Sequence, residues 1–510
     1  MRRAHARTQV WRTERPVGFR RWRERLGMRT AAPFWGFPLV LGMLSGLALL
    51  SALGAPVLTL TLSVVLASVQ ARAPARAAQW MFAFALGFYG AHLQWLFTSL
   101  NRILGEPAGM LVVPLVVLLA GGLTGVVWLT RRLSGRWLLL ALPAAWILFD
   151  WGRTLGPLGF PWGSVGYAAS RTPALQLASV GGVPLLAGVM LGSAALLAHR
   201  TRWSISMAGM LWGLALLLGV LLTAPTPAAT RTALLVQGSI DPRAKFRGTV
   251  DASRLYRDLT RSARLLRPAD VVLWPETALP VLPADLARWP NLSLPGVPLI
   301  TGAADQQPGA VYNSAVALSD AGVFRYDKVR TVPFGETFPG WASLGWLYRP
   351  VLAALGVPEL RNVTPGTRAA VLRAGALRYA VSICYESVFP GLARRAVRDG
   401  AQVLVTLSND AWFGQSAGAE QHFQMGRVRA VETRRSWLRA GNDGVTAVTD
   451  PYGRVQARLA RGVRGTLQAG FTPLGSLSVY VRFGDWMVAL AAVALLNCCL
   501  QGDRMKRVHR

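Results

Sequence analysis

Three short segments contain residue types that together could perform nucleophilic catalysis with a thiol. Glu276 ends an apolar run in LWPETA (273–278), Lys328 lies in YDKVR (326–330), and Cys384 ends an apolar run in AVSICYES (380–387). A cysteine nucleophile requires a base, and a tetrahedral intermediate requires a cation or amide donors beside its oxyanion. A carboxylate, an ammonium and a thiol therefore form a plausible catalytic set.

Each residue also has a simpler explanation when it is taken alone. A glutamate at a strand end is usually a rim residue, a lysine is usually solvated, and a cysteine after an apolar strand is usually buried structure. Lys328 differs because only it, Lys245 and Lys506 are lysines among 55 basic residues. Pro275 should end a strand before Glu276, and Cys384 should stand at an exposed strand-to-helix turn.

Other catalytic motifs do not occur in the sequence. The histidines are scattered, form no H-E-x-x-H motif and predict no cysteine–histidine pair; they are His5, His92, His199, His422 and His509. Clustered metal ligands, a Walker A loop and a convincing G-x-G-x-x-G are also missing, so we expect no metal and no cofactor. Cys498 and Cys499 are adjacent in an apolar run, which leaves Cys384 as a free thiol.

The composition indicates a membrane protein with several spans. Hydrophobic residues make up 52% of the 510 residues and the mean hydropathy is +0.34, yet the net charge is +31. Long apolar runs alternate with arginine-rich connections, as in polytopic membrane proteins. The arginines lie in short loops rather than along one face, which argues against nucleic-acid binding.

The apolar runs predict eight spans. They lie near 33–53, 55–70, 78–99, 109–130, 137–151, 177–198, 205–223 and 484–500. The first run is too long for a cleaved signal peptide and is followed by further spans, so we interpret it as an anchor. Arginine concentrates at 72–76, 131–136, 200–202 and 504–510, and the positive-inside rule then places 224–480 outside the cytoplasm.

The pattern divides the chain into five parts. We predict a basic cytoplasmic leader at 1–30, seven spans within 31–224, a catalytic domain at 231–470, the eighth span at 484–500 and a basic cytoplasmic tail at 501–510. Strand-like segments alternate with helical ones in the large polar region, which predicts an α/β domain. The predicted strands are Thr232–Val236, Val271–Trp274, Leu299–Ala303, Val311–Leu318, Leu377–Ile383 and Gln402–Leu407; the helices are Val250–Leu266, Leu392–Val397 and Gln421–Arg435; a hairpin covers Val445–Val455.

The segment GFPWG (159–163) lies between the fifth and sixth predicted spans. Its glycine, proline and aromatic content is compatible with a structured re-entrant loop. An ordinary belt of interfacial aromatic residues explains the same content, and we favour that interpretation from the sequence.

The three segments resemble the Glu–Lys–Cys motifs of the nitrilase superfamily. These are WPETA around Glu276, YDKVRTVPFGE around Lys328 and SICYESVFP around Cys384. The apolar spans, GFPW and QHFQMGRVRAVE (421–432) resemble its membrane branch, the apolipoprotein N-acyltransferases. The resemblance implies a polytopic α-helical membrane bundle of about eight spans and an extracytoplasmic α/β nitrilase-like sandwich domain.

The resemblance also implies roles for individual residues. Glu276 would be the general base, Cys384 the nucleophile, and Lys328 the oxyanion partner. Glu336 and Glu386 would position Lys328 and shape the site. Tyr385, through its backbone N–H, and Trp412 would bind the oxyanion and the substrate. The sequence departs from the family pattern at Asp443 and Ser239, which puts local substrate contacts in doubt rather than the triad.

The implied reaction is ping-pong acyl transfer without a cofactor. The donor would be a phospholipid and the acceptor the α-amine of a diacylglyceryl-cysteine at a lipoprotein N-terminus. The protein would be a multi-pass monomer of the bacterial cytoplasmic (inner) membrane with a periplasmic catalytic domain. Two alternatives remain: a membrane-tethered amidase or nitrilase acting on a small soluble substrate, and a non-catalytic transporter or scaffold. The second lacks the mid-span charges that a transporter commonly needs, since Asp150 sits at a span end.

Overall fold

The computed structural model describes residues 35–134, 137–241, 244–245, 250–266, 268–279, 296–320, 322–354, 362–367 and 371–508. The predicted leader at 1–30 lies outside the described residues, as do Arg136 and the last two residues of the predicted tail.

The first part of the chain is a bundle of apolar helices. Their bounds are α1 Gly36–Ala48, α2 Gly54–Gln70, α3 Pro74–His92, α4 Trp95–Leu104, α5 Val112–Leu133, α6 Leu138–Gly152, α7 Ala178–His199 and α8 Arg202–Leu221. Among the described residues, three helical segments are long and apolar enough to cross a membrane, namely Ala108–Leu133, Pro173–His199 and Arg202–Leu221. Shorter apolar helices cover Gly36–Ala48, Gly54–Gln70, Leu138–Gly152 and Trp486–Gly502. The helical membrane region is thus present, and the count of eight spans stays a prediction.

Glycine allows helices α1 and α3 to touch through their backbones. A Cβ atom added at Gly42 would lie 2.0 Å from the carbonyl oxygen of Phe84, and one at Gly87 would lie 2.1 Å from that of Leu39. Without a hydrophobic effect between helices in lipid, such close contact of small residues holds them together. The sequence therefore fixes the spacing of this helix pair.

Two six-stranded sheets form the second part of the chain. The strands are β1 Arg231–Gln237, β2 Val271–Leu273, β3 Leu299–Gln307, β4 Ala310–Ser319, β5 Gly322–Asp327, β6 Val371–Ala374, β7 Leu377–Ile383, β8 Val403–Ser408, β9 Trp437–Gly441, β10 Thr446–Thr449, β11 Val455–Leu459 and β12 Gly465–Phe471. Their order is β12-β1-β2-β3-β4-β5 in one sheet and β11-β10-β9-β8-β7-β6 in the other. The pairs β1–β2, β2–β3, β7–β8 and β8–β9 are parallel, and the outer pairs are antiparallel.

The two sheets pack face to face, and helices cover their outer faces. Strands β2 and β8 are buried along their whole length, as expected for central parallel strands with both faces covered. One apolar cluster joins the sheets, including Leu273 and Ile383. Helix α9 (Ala252–Leu266) packs on the first sheet, while α11 (Pro390–Arg398) and α12 (Gly418–Thr433) pack on the second. The predicted α/β sandwich is confirmed.

The sequence missed several elements of this domain: strands β5, β6, β9 and β12, and helix α10 (Trp341–Ala354). Strand β9 shows why, because it carries the fully buried Arg439 at its centre. A charged residue is almost never fully buried unless it is paired, so an arginine interrupts the apolar pattern that predicts a buried strand.

The sandwich is docked on the bundle by both apolar and polar contacts. Tyr385, Phe389 and Val428 of the sandwich belong to the same buried cluster as the bundle core. The Glu432 carboxylate accepts from the backbone N–H of Val183 (3.2 Å), next to a kink in α7. The chain then returns through α13 (Val479–Phe483) to α14 (Trp486–Val508), which packs on α6.

Candidate active site

Cys384 occupies a sharp turn between β7 and a short 3₁₀ helix, Cys384–Val388. Its φ is +49°, in the left-handed region that non-glycine residues seldom adopt. The turn is held by the Glu386 carboxylate, which accepts from the N–H of Ile383 (2.8 Å), and by the Ser387 hydroxyl, which donates to the Cys384 carbonyl (2.9 Å). A strained residue held in this way is typical of functional sites. The sequence-predicted strand-to-helix turn is present, with Cys384 half-buried.

Glu276 lies just beyond the end of β2, and both of its carboxylate oxygens are fixed. Oε1 accepts from Asn313 Nδ2 (2.8 Å), and Oε2 accepts from the backbone N–H of Asn409 (2.9 Å). The side chain is buried. Glu276 follows β2 of one sheet, and Asn409 directly follows β8 of the other sheet. The Glu276 carboxylate therefore bridges the two sheets at one end of the sandwich.

Lys328 follows β5 and is 1% exposed. Its Nζ donates to Glu336 Oε1 (2.7 Å) and lies 3.6 Å from Glu276 Oε1. Burial by itself would lower the pKa of Lys328, but the Glu336 and Glu276 carboxylates outweigh it and raise the pKa. The site therefore holds a permanent ammonium between two carboxylates.

The Cys384 thiol has the opposite electrostatic balance. Burial raises its pKa most, Glu276 raises it further, and Lys328 only partly compensates. The resting thiol is therefore neutral, and it needs a base when it attacks.

The other two predicted glutamates, Glu336 and Glu386, differ in how they contact Lys328 and its surroundings. Glu336 contacts it directly, while its second oxygen accepts from the N–H of Val332 (2.8 Å). Glu386 instead accepts from the backbone N–H groups of Val329 (2.7 Å) and Arg330 (3.0 Å) and from the Tyr326 hydroxyl (2.7 Å). Glu386 thus joins the Cys384 turn to the backbone around Lys328.

Tyr385 connects the turn to the helical bundle. Its hydroxyl donates to the Gly159 carbonyl (2.7 Å), and its ring stacks on Trp162 with centroids 5.7 Å apart and planes at 11°. The prediction that GFPW is an interfacial aromatic belt is wrong, because Trp162 is 1% exposed and packs on the site. Aromatic content cannot distinguish a ring in the membrane interface from one buried between domains.

Trp412, the other residue predicted to contact substrate, lies half-buried in the 3₁₀ turn Asp410–Phe413 that follows Asn409.

His422 lies against the backbone of the Cys384 turn, a position that the sequence analysis did not predict for any histidine. Its Nε2 lies 3.0 Å from the Cys384 carbonyl oxygen and 2.9 Å from the Ser387 hydroxyl. The two residues are 38 positions apart and meet only because α12 packs beneath the turn. The imidazole supports the backbone of Cys384 at this carbonyl.

The same region brings together possible metal ligands, which the sequence analysis did not expect. One ligand atom each of Cys384, Asp410 and His422 lies within 4.8 Å of the others. Arg439 Nη2, however, donates to Asp410 Oδ2 (2.6 Å) and lies 3.1 Å from His422 Nδ1. Burial alone would raise the pKa of Asp410, but Arg439 and His422 lower it well below its usual range. The guanidinium already neutralises the carboxylate, so the electrostatics disfavour a metal ion here.

Several supporting residues escaped the sequence analysis. Asn313 donates to both Glu276 and Glu336, and the Asn442 amide donates to the side chain of Asn409 (3.0 Å). Lys245 is buried and donates to the hydroxyl of Thr277 (2.8 Å), and burial lowers its pKa to about 8. A polar residue inside or just after an apolar strand was the available signal for the asparagines.

The two departures from the family pattern have structural positions. Ser239 adopts a φ of +47° and donates its backbone N–H to the Asn442 carbonyl (2.7 Å). Asp443 accepts from the N–H of Gly462 (2.8 Å). Neither contact involves Glu276, Lys328 or Cys384.

Two family models match different parts of the chain. The family model for carbon-nitrogen hydrolases matches residues 235–473, which contain most of the sandwich. The family model for the apolipoprotein N-acyltransferase N-terminal domain matches residues 41–196.

Curated relatives extend the match to most of the chain. An apolipoprotein N-acyltransferase of Azotobacter vinelandii is 33% identical over 473 residues, covering 85% of this chain and 89% of the relative. One from Pseudomonas putida is 31% identical over 486 residues, covering 89% and 93%. The chain therefore belongs to the apolipoprotein N-acyltransferase family.

Two solved structures are similar to about half of the chain. An amidase from Nesterenkonia sp. is 18% identical with a TM-score of 0.34, covering 51% of this chain and 96% of the amidase. A nitrilase-superfamily member from Saccharomyces cerevisiae is 18% identical with a TM-score of 0.37, covering 49% and 93%.

Proposed function

We propose that this protein transfers a fatty acyl chain from a phospholipid, through a thioester on Cys384, to the α-amine of the N-terminal diacylglyceryl-cysteine of lipoproteins. The observation that carries the proposal is the docking of the Cys384 turn on the helical bundle. Tyr385 both follows the nucleophile and stacks on Trp162 of the bundle. A thiol at this junction can reach substrates that are anchored in the bilayer.

The first half-reaction forms the thioester. Glu276 removes the proton of the Cys384 thiol, and the sulfur attacks the ester carbonyl of the phospholipid. The Lys328 ammonium and the Tyr385 N–H stabilise the oxyanion. Collapse breaks the carbon–oxygen bond, and the leaving alkoxide takes the proton from Glu276 to give a lysophospholipid.

The second half-reaction uses the same groups. The neutral α-amine attacks the thioester carbonyl, and Glu276 accepts a proton from the nitrogen. Collapse of the intermediate expels the Cys384 sulfur, which regains a proton from Glu276, and the product is an amide. The neutral resting thiol fits this cycle, because a bound proton must shuttle through Glu276 in each direction.

Glu336, Glu386 and Trp412 complete the proposed site. Glu336 orients the ammonium through its 2.7 Å contact, and Glu386 orients the backbone after Lys328. Trp412, half-buried in the turn that follows Asn409, is assigned to substrate binding together with Tyr385. No step of the proposed reaction uses a metal or a cofactor.

The proposed setting is the bacterial inner membrane. Eight spans, a periplasmic catalytic domain and the domain limits given above are inferred from the positions of the apolar runs and the arginine-rich loops. The proposal also takes the protein to be a monomer. The apolar helices and the docked sandwich support this arrangement.

Transfer between two lipid substrates tests the function against the amidase alternative. Purified protein in detergent is given a phospholipid and a synthetic diacylglyceryl-cysteine peptide, and the peptide mass is followed. We expect a mass increase of one acyl chain that depends on the phospholipid. Hydrolysis of small amides without lipid, together with an unmodified peptide, would favour the amidase instead.

A further inference from the structure

We propose that Asp150 and Arg153, at the end of helix α6, are positioning residues for acyl transfer that act through the loop 159–162 on Tyr385. The inference rests on the proposed function, because Tyr385 supplies the backbone N–H to the oxyanion. It extends the site from the sandwich into the bundle.

Arg153 holds the loop at two points. Its Nη1 donates to the carbonyl oxygens of Phe160 (2.9 Å) and Trp162 (2.8 Å). The Arg153 carbonyl in turn accepts from the N–H of Phe160 (2.6 Å). Because these bonds span the loop, the guanidinium fixes the direction in which the Gly159 carbonyl and the Trp162 ring point.

Asp150 fixes Arg153 in this position. Its Oδ1 accepts from Arg153 Nη2 (2.7 Å), and the two side chains are only 6% and 9% exposed. A charged pair buried at the end of an apolar helix is costly unless it is well bonded, and such charges commonly mark function. The planar fork of arginine serves a carboxylate and two carbonyls at once, which an ammonium cannot do with the same geometry.

Two contacts connect the loop 159–162 to the turn that carries Cys384. The Gly159 carbonyl accepts from the Tyr385 hydroxyl (2.7 Å), and Trp162 stacks on the Tyr385 ring. Trp162 is itself held between Phe160 (5.3 Å) and Trp95 (5.5 Å). Since Tyr385 directly follows Cys384, a ring displaced from Trp162 turns the peptide N–H away from the oxyanion.

The expected effect falls on the rate of chemistry rather than on substrate binding. Arg153→Lys keeps the charge but gives up part of the bonding to the loop. A displacement of about 1 Å transmitted to reacting groups can cost roughly 100-fold in rate. We expect the maximal rate of thioester formation to fall roughly 10- to 100-fold, while the KM for the phospholipid stays within about twofold.

Arg434 provides a matched control at the same domain boundary. It donates to the hydroxyl of Ser179 (2.9 Å) and the carbonyl of Leu222 (3.1 Å), so it also joins sandwich and bundle. Its bonds do not reach the loop 159–162. Arg434→Lys should therefore leave the maximal rate close to wild type.

The test measures single-turnover thioester formation on full-length protein in detergent with one phospholipid. The variants are Arg153→Lys, Asp150→Asn, Arg434→Lys, Tyr385→Phe and the double variant Arg153→Lys with Tyr385→Phe. Because Tyr385→Phe removes one of the two contacts through which Arg153 acts, the double variant should lose less than the product of the two single losses. Multiplied effects in the double variant would overturn the inference.

Further outcomes separate this inference from general damage and from failure of the proposed function. If Arg153→Lys misfolds, Asp150→Asn and the Tyr385→Phe comparison still decide the question, with melting temperature as the folding check. Equal losses in Arg434→Lys, or a wild-type rate in Arg153→Lys, would refute the positioning role. Absence of a thioester in the wild-type protein would refute the proposed function itself.

Discussion

Replacing Lys328 by arginine separates the charge of this residue from its shape. Only three lysines stand among 55 basic residues, so a site that needed only positive charge would be expected to carry arginine. Lys328 is 1% exposed and lies between two carboxylates, 2.7 Å from Glu336 and 3.6 Å from Glu276. Guanidinium is larger and planar, and it would pair with these carboxylates along its edges.

The expected loss follows from the three N–H groups of the ammonium. One is bonded to Glu336 and a second is available to Glu276, 3.6 Å away. In the proposed mechanism the third serves the oxyanion formed at Cys384. Arginine keeps the first two interactions but misplaces the third. Losing one oxyanion donor costs about 3 to 4 kcal/mol, or roughly 100- to 1,000-fold in rate.

The assay compares acylation rates of wild type, Lys328→Arg and Lys328→Ala in one detergent. Arg325→Lys is the matched control, because Arg325 lies on β5 just before Lys328 and pairs with Asp327 at the rim (2.7 Å) with 29% exposure. We expect a large loss in both Lys328 variants and near-wild-type activity in the control, with all proteins expressed. Near-wild-type acylation by Lys328→Arg would show that only diffuse charge matters and would refute the geometric argument.

The remaining predictions concern topology, the base and pH. A reporter fused near residue 300 should be active only outside the cytoplasm and one after residue 510 only inside; cytoplasmic activity at 300 would overturn the orientation. Asn313→Ala removes donors to Glu276 and Glu336, so kcat should fall roughly 10- to 100-fold, and an unchanged kcat would exclude a role in holding the base. Burial raises the pKa of Glu432 to about 7, so its protonated form stabilises the fold below about pH 4.5 and this contribution is lost as pH rises through 7. Melting temperatures in detergent should therefore decline less from pH 5 to pH 7 in Glu432→Gln than in wild type, and equal slopes would contradict the buried-acid assignment.

The sequence predicted much of the fold because its signals are local. Alternating apolar strands and long apolar helices depend on neighbouring residues, so most elements and an α/β domain followed from them, while the sandwich was implied by the family resemblance. Strand β9 was missed because the buried charge of Arg439 is paired with Asp410, which lies on another segment. Local pattern cannot supply that partner.

The candidate site shows the same limit. Glu276, Lys328 and Cys384 were found from motifs, and the structure places Lys328 beside Glu276. His422, Asn313 and the contact of Trp162 with Tyr385 depend on packing between segments that are far apart in the chain. Such contacts are fixed by tertiary structure, so they are seen only in the folded protein.

Mass spectrometry of the peptide that contains Cys384 tests most directly whether this residue carries the acyl chain. Purified protein is incubated with phospholipid alone, digested under conditions that keep thioesters, and compared with Cys384→Ala and with a Cys498→Ala, Cys499→Ala double variant. We predict an acyl-sized increment on the Cys384 peptide in wild type and in the double variant, and none in Cys384→Ala, which should also form no product. Acylated product from Cys384→Ala, or an acyl group found only on Cys498 or Cys499, would contradict covalent catalysis by Cys384.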